Sequence, residues 1–220
     1  MTEDLRGALF RDPSVALVVV DVQNDFADPR GSLFVPGGVE VAANCAALMG
    51  DAAEAGAIVI CTQDWHPAIT PHFQEQGGVW PTHCVQGSWG AELQRLLPHP
   101  DHLVRKGQGQ LDGYSGFGSR EPSTGRVEAT ALREVLERRG TQSLVLAGLA
   151  LDVCVRETAL DAVRLGYPTM LVTSATAAVE LTPGAGAGAL EELEAAGVKL
   201  VQPPLSGLPS PQAPATGPRP

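Results

Sequence analysis

Short apolar runs alternate with amphipathic stretches along most of the chain. Apolar runs at 15–21, 57–62, 103–105, 143–147, 169–173 and 198–201 predict strands, the first of which ends in an acid. Apolar positions at helical spacing predict helices over 39–55, 129–140, 152–165 and 181–196. The stretch 63–100 and the glycine-rich stretch 107–126 are predicted as loops. Strands that alternate with helices predict an α/β fold with a parallel sheet covered by helices on both faces.

The pattern sets the expected domain organisation. Residues 14–201 are predicted to form one domain, preceded by a short extension over 1–13. Residues 202–220 contain seven prolines in nineteen positions. Such a segment cannot bury apolar surface or pair as a strand, so we expect a disordered tail.

Charge and hydropathy exclude several classes of protein. The chain has 220 residues, with 25 acidic and 15 basic side chains and a net charge of −10. An acidic surface does not favour a phosphate backbone, so no nucleic-acid partner is expected. The longest apolar run, 15–20, is far shorter than the ~20 residues of a membrane span, and the first residues carry no apolar signal core. The prediction is a cytoplasmic protein with no membrane partner.

The cysteines and lysines narrow the search for chemistry. Cys45, Cys61, Cys84 and Cys154 form no CxxC pair, and in a reducing compartment they should be thiols. Only two of the 15 basic residues are lysine, Lys106 and Lys199. Lysine and arginine are not interchangeable, so Lys106 is a candidate for a position that needs an ammonium group.

Three chemically useful residues follow different predicted strands or open the next helix. Asp21 ends the first strand, Lys106 follows the third, and Cys154 lies after the fourth, at the predicted start of a helix. Ligands of parallel sheets bind outside the carboxyl ends of the strands, so these residues should meet at one edge. Each alone is more often a cap, a surface charge or a core thiol, but their convergence favours catalysis.

The three residue types suit nucleophilic attack on a carbonyl group. Cys154 would attack as a thiolate, and a helix N-terminus would lower its pKa. Asp21 would take the thiol proton and return it to a leaving amine, while Lys106 holds the acid and balances charge. The backbone N–H groups of Ala150 and Cys154 could form an oxyanion hole.

A second cluster has the composition of a metal site. Asp64 and His66 lie two residues apart, with His72 and His83 further along, so three of the five histidines fall in one stretch. One aspartate with two or three histidines suits Zn²⁺, Fe²⁺ or Mn²⁺. The alternative is a tight structural loop, and the spacing alone does not decide between the two.

The motifs together resemble the nicotinamidase/pyrazinamidase branch of the isochorismatase-like cysteine hydrolases. They are VVVDVQNDF at 18–26, TQDWHP at 62–67, VWPTHCVQGS at 79–88, KG at 106–107, GYSGF at 113–117 and GLALDVCVRETALDA at 148–162. The resemblance covers about residues 15–175. It implies a Rossmann-like three-layer αβα sandwich with a six-stranded parallel sheet. It also implies hydrolysis of nicotinamide, and of pyrazinamide as well, to the acid and ammonia as part of NAD salvage.

The resemblance also implies roles for single residues. Asp21, Lys106 and Cys154 match the catalytic triad, and Ala150 with Cys154 the oxyanion hole, after a cis peptide bond between Leu149 and Ala150. One divalent metal ion, zinc in first place with iron or manganese as alternatives, would bind the pyridine nitrogen. The implied metal ligands are Asp64, His66, His83 and, in only some relatives, His72, and the implied walls of the substrate pocket are Phe26, Trp80 and Tyr114.

Departures from the family pattern keep alternatives open. Leu151 and Val153 stand where the family has threonine and an aromatic residue or histidine, and the proline-rich tail has no counterpart. A related hydrolase acting on another small carboxamide, a ureido compound or isochorismate is the first alternative. A second alternative is an enzyme in which the metal activates a water as the nucleophile and Cys154 is structural. A third is a binding module that performs no turnover. A homo-oligomer is compatible with the sequence.

Overall fold

The computed structural model describes residues 9–120 and 126–202. Its strands are, in chain order, β1 (Val15–Val20), β2 (Ile58–Asp64), β3 (His102–Lys106), β4 (Asp112–Ser115), β5 (Gly118–Arg120), β6 (Val127–Ala129), β7 (Ser143–Leu149), β8 (Thr169–Ala177) and β9 (Lys199–Val201). Its α-helices are α1 (Asn24–Ala27), α2 (Gly38–Glu54), α3 (Leu132–Arg138), α4 (Arg156–Arg164) and α5 (Ala185–Ala195).

A six-stranded sheet in the order β3-β2-β1-β7-β8-β9 lies at the centre, and every neighbouring pair is parallel. Successive side chains of a strand point to opposite faces, and β1 shows the consequence. Leu17 and Val19 pack on the face covered by α2, while Val18 and Val20 pack with α3, α4 and α5 on the other. Because β1 is buried on both faces, its sequence is an unbroken apolar run. The predicted sandwich of three layers is confirmed.

The prediction of a loop over 107–126 is wrong in part. β4, β5 and β6 form a small antiparallel sheet there, in which Ser115 pairs with Gly118 across a two-residue turn. Strands of three or four residues show too little alternation to be detected, and the glycines suggested a loop instead. This small sheet places Gly113 and Tyr114 over the end of β3.

Several predicted boundaries move for related reasons. The helix expected over 129–140 begins only at Leu132, because Val127–Ala129 pairs with β5. The helix expected over 152–165 opens with a π-helical turn, Leu151–Val155, in which the Val155 N–H donates to Ala150 O at 3.1 Å. The helix expected over 181–196 is shorter, Ala185–Ala195, whereas β8 extends to Ala177. The longer strand matters because the chain then arrives beside the π-helical turn.

The described residues include the end of the predicted extension and the first residue of the predicted tail. Leu9 and Phe10, inside the predicted extension, are buried against the face that α2 covers. The predicted tail lies outside the described residues except for Gln202. None of the helices in the described ranges combines the length and the apolar character needed to cross a bilayer.

Candidate active site and metal centre

Asp21 lies directly after β1 in an unusual backbone conformation. Its φ of 48° falls in the left-handed region, and the residue is fully buried. Thr62 on the neighbouring strand β2 fixes it: the Thr62 hydroxyl donates to Asp21 Oδ1 at 2.6 Å and accepts from the Asp21 N–H at 3.1 Å. These two bonds direct the other carboxylate oxygen towards Lys106.

Lys106 ends β3 and is the most contacted charge of the site. Its Nζ lies 2.7 Å from Asp21 Oδ2 and 2.5 Å from Asp64 Oδ1, and it donates to Gly113 O at 2.6 Å. The Cys154 sulfur is 3.4 Å away. Burial alone would lower the pKa of Lys106, but Asp21 and Asp64 outweigh it and raise that pKa well above its ordinary value. The ammonium therefore stays charged.

Cys154 lies in the π-helical turn, with 6% of its surface exposed. The expectation that a helix start lowers its pKa is wrong. Burial raises the pKa of this thiol well above its ordinary value, Lys106 opposes the effect, and a hydrogen bond with Asp21 adds to it. Desolvation is the largest of these effects. The resting nucleophile is a thiol beside a base.

The charges around Lys106 explain how a thiolate can form. Asp21 and Asp64 already supply two negative charges against one ammonium, so a thiolate would add a third. Burial raises the pKa of Asp21, and although Lys106 opposes this, the nearby Asp64 carboxylate adds to it, so the shift is upward. A carboxylate with a raised pKa is the better proton acceptor. Transfer of the thiol proton to Asp21 leaves the total charge of the cluster unchanged.

Asp64 joins this cluster to a group of histidines. Its Oδ1 contacts Lys106, and its Oδ2 lies 3.6 Å from His66 Nε2. The side chain of Gln23 holds the Asp64 backbone, donating to its carbonyl and accepting from its N–H, both at 2.8 Å. Burial opposes ionisation of Asp64, but the Lys106 ammonium favours it, and the pKa of Asp64 is held below its ordinary value.

His66, His72 and His83 fit a divalent metal ion. One ring nitrogen from each lies within 4.8 Å of the others. His66 Nδ1 is 3.1 Å from Gly107 O and His83 Nδ1 is 2.7 Å from Pro81 O, so each Nδ1–H donates to a carbonyl and each Nε2 keeps a lone pair. Within the described ranges, His66 Nε2 is a buried atom without a hydrogen-bond partner. Burial lowers the pKa of His83 to about 4, so this ring is neutral, as a metal ligand must be.

A cleft of about 360 Å³ opens above the thiol and the histidines. The residues singled out from the sequence as pocket walls, Phe26, Trp80 and Tyr114, all line it, and Trp80 Nε1 donates to the Tyr114 hydroxyl at 3.0 Å. Ala150 lines it too and follows a cis peptide bond with Leu149, as the resemblance implies. The lining therefore combines aromatic and aliphatic side chains with a few polar groups, as small-molecule sites do.

Sequence reasoning missed a group of residues that complete or support the site. An aliphatic wall faces the cleft, made by Leu33, Val35, Val153 and Val179. Thr62 and Gln23 support the two carboxylates, and Thr158 links the Cys154 carbonyl to the Gly116 N–H at 2.7 and 2.8 Å. Val153 stood out only as a departure from the family pattern, and the other aliphatic residues carry no chemical signal in the sequence.

Comparison with known proteins agrees with this geometry. The family model of the isochorismatase domain matches residues 15–202. The chain belongs to the isochorismatase family. It is 37% identical to the nicotinamidase of Escherichia coli (strain K12), over 86% of this chain and 94% of that protein.

Solved structures of family members have the same fold. A pyrazinamidase of Pyrococcus horikoshii in complex with zinc is 37% identical, with a TM-score of 0.77 over 86% of this chain and 99% of the other. PnC1 from L. infantum, in complex with nicotinate, is 36% identical, with a TM-score of 0.79 over 86% and 93% of the two chains. This chain thus shares its fold with one protein solved with zinc and one solved with nicotinate.

Proposed function

We propose that this protein is a nicotinamidase, which hydrolyses nicotinamide, and pyrazinamide as well, to the acid and ammonia in NAD salvage. The observation that carries the proposal is the buried cluster in which one ammonium contacts Asp21, Asp64 and the Cys154 sulfur below an aromatic cleft. The E. coli nicotinamidase, the zinc-bound pyrazinamidase and the nicotinate-bound structure support the choice of substrate.

Acylation begins with the thiol. Asp21 takes the proton from Cys154 Sγ, and the sulfur bonds to the carboxamide carbon as the carbonyl π electrons move to oxygen. The backbone N–H groups of Ala150 and Cys154 stabilise that oxyanion. When the intermediate collapses, the C–N bond breaks, its electron pair stays on nitrogen, and Asp21 returns the proton to give ammonia and a thioester.

Deacylation uses the same groups in reverse order. A water oxygen attacks the thioester carbon while Asp21 takes a water proton. The C–S bond then breaks, and Sγ recovers that proton to restore the thiol. Lys106 remains protonated throughout and offsets the negative charge that moves between sulfur and carboxylate.

The histidine cluster would orient the substrate in the cleft. Asp64, His66, His83 and His72 would hold one divalent ion, for which we propose zinc, and the bound ion supplies a Lewis-acid contact for the pyridine nitrogen. The aromatic walls Phe26, Trp80 and Tyr114 would enclose the ring. The carboxamide is then directed at Cys154, a contribution to proximity.

The decisive experiment traps the acyl group. Wild-type protein, quenched in acid during turnover of nicotinamide, should show a mass increase of one nicotinoyl group on Cys154, and Cys154→Ala should release no ammonia. Cys45→Ala is the matched control, because that buried thiol belongs to α2 and does not line the cleft, and it should keep its activity. Ammonia release by Cys154→Ala would overturn the thioester mechanism and favour a metal-activated water. Faster turnover of maleamate, a ureido compound or isochorismate than of nicotinamide would overturn the substrate.

A further inference from the structure

Asp152 is a buried carboxylate with two specific backbone partners far along the chain. It lies two residues before Cys154, and 8% of its surface is exposed. Its Oδ1 accepts from the Val179 N–H and its Oδ2 from the Glu180 N–H, each at 2.9 Å. The mechanism above gives this carboxylate no role, yet both of its oxygens are committed to bonds.

These two bonds connect two segments that both line the cleft. Asp152 belongs to the π-helical turn that carries Cys154 and Val153, while its partners follow the end of β8. Val153 and Val179 both line the cleft beside Cys154. The carboxylate therefore fixes the position of Val179 relative to the turn that carries Cys154.

The segment that Asp152 holds is fixed from its other end as well. Glu180 adopts a left-handed φ of 53°, which is unfavourable for a residue with a side chain. Its carboxylate accepts from the Gly184 N–H at 2.7 Å and the Gly186 N–H at 3.1 Å, at the start of α5. The bond from Asp152 to the Glu180 N–H thus anchors a turn that would otherwise relax, and Val179 precedes that turn directly.

We propose that Asp152 is a positioning residue that sets the distance between the Cys154 turn and Val179, and so limits the ring carboxamides that the site accepts. It is not among the residues that line the cleft, and it acts through the backbone of residues 179 and 180. The inference rests on the proposed function. Only a carboxylate offers an acceptor to both N–H groups, because an asparagine would turn an NH₂ group towards one of them.

The test compares two substrates on the same enzyme preparation. The ratio of kcat/KM for 5-methylnicotinamide to kcat/KM for nicotinamide is independent of the fraction of folded enzyme. A methylene group in an apolar pocket changes kcat/KM by about tenfold or more, so Asp152→Asn should raise this ratio by about tenfold. Asp152→Glu keeps both acceptors but lengthens the side chain by one methylene, which moves Val179 away from the Cys154 turn. This variant should therefore fold and still raise the ratio.

Asp101 supplies a matched control for the Asp152 variants. Asp101→Asn also removes an acceptor oxygen, bonded to the Val59 N–H at 2.8 Å near the amino end of the sheet, and should leave the ratio unchanged. A ratio within about twofold of wild type in Asp152→Glu would show that the carboxylate serves stability alone and would overturn the inference. Wild-type protein that hydrolyses neither substrate would overturn the proposed function itself, which distinguishes the two failures.

Discussion

Replacing Lys106 by methionine tests the electrostatic centre of the site. Methionine matches the length of the lysine stem but carries no charge. The change leaves the carboxylates of Asp21 and Asp64, whose side chains are 0% and 5% exposed, without their common cation. Removing one partner of a buried ion pair costs about 3–5 kcal/mol, because the remaining charge stays buried and uncompensated.

That cost has a measurable counterpart. Each 1.4 kcal/mol is a factor of about ten, so the unfolding equilibrium constant should rise by about 10²–10⁴. The midpoint of urea unfolding, followed by circular dichroism, should fall accordingly. Ammonia release should fall by at least about 10²-fold, because the charge that stabilises the transferred negative charge is gone.

The chain supplies a matched control for this variant. Lys199→Met removes the other lysine, which is exposed at the start of β9, and should change neither stability nor turnover. Adding Asp21→Asn to Lys106→Met removes one uncompensated carboxylate, so the double variant should regain stability but no activity. Equal urea midpoints for Lys106→Met and Lys199→Met would refute the electrostatic account of the site.

Three further perturbations test neighbouring parts of the structure. Iodoacetamide should label Cys154 in the folded protein and spare the fully buried thiols; a second labelled cysteine in the peptide mass map would contradict the burial described here. Thr62→Val removes a hydrogen bond that lowers the pKa of Asp21, so the pKa of Asp21 should rise. Because the ionised carboxylate is the active form, the acid limb of the pH profile of kcat/KM should move to higher pH. An acid limb that does not move would argue against Asp21 as the base. Gly107→Ala would place a Cβ 2.6 Å from His66 Cε1, so metal affinity in a competition titration should fall by about 10–100-fold. Gly109→Ala, with open space around it, is the control and should bind metal as the wild type does. Equal affinities of the two variants would show that His66 is not a metal ligand.

The sequence predicts the central sheet well because its signal is strong. The β1 run is buried on both faces, and such an unbroken apolar run is typical of a central parallel strand. Asp21 and Lys106 could be placed at one edge because parallel strands present their carboxyl ends together. The small sheet of β4–β6 could not be predicted in the same way, because its strands are short and lie in a glycine-rich stretch.

The chemistry of the site is less accessible to sequence reasoning than its location. The thiol pKa depends on the balance between burial and one ammonium at 3.4 Å, and neither quantity can be read from residue spacing. The supporting contacts of Thr62 and Asp152 arise between segments 41 and 27 residues apart. Such contacts are set by tertiary packing, which local patterns do not encode.

The arrangement of acceptors around residue 106 explains why this residue is a lysine and not an arginine. Lysine is rare in this chain, where most of the basic residues are arginine. At position 106 one nitrogen contacts Asp21, Asp64 and Gly113 O at 2.5–2.7 Å, with the sulfur at 3.4 Å. The three N–H bonds of an ammonium diverge towards acceptors in different directions, whereas a guanidinium presents its donors in one plane. A planar fork could pair with one carboxylate but could not also reach the second carboxylate and the Gly113 carbonyl, so the buried cluster requires a lysine at this position.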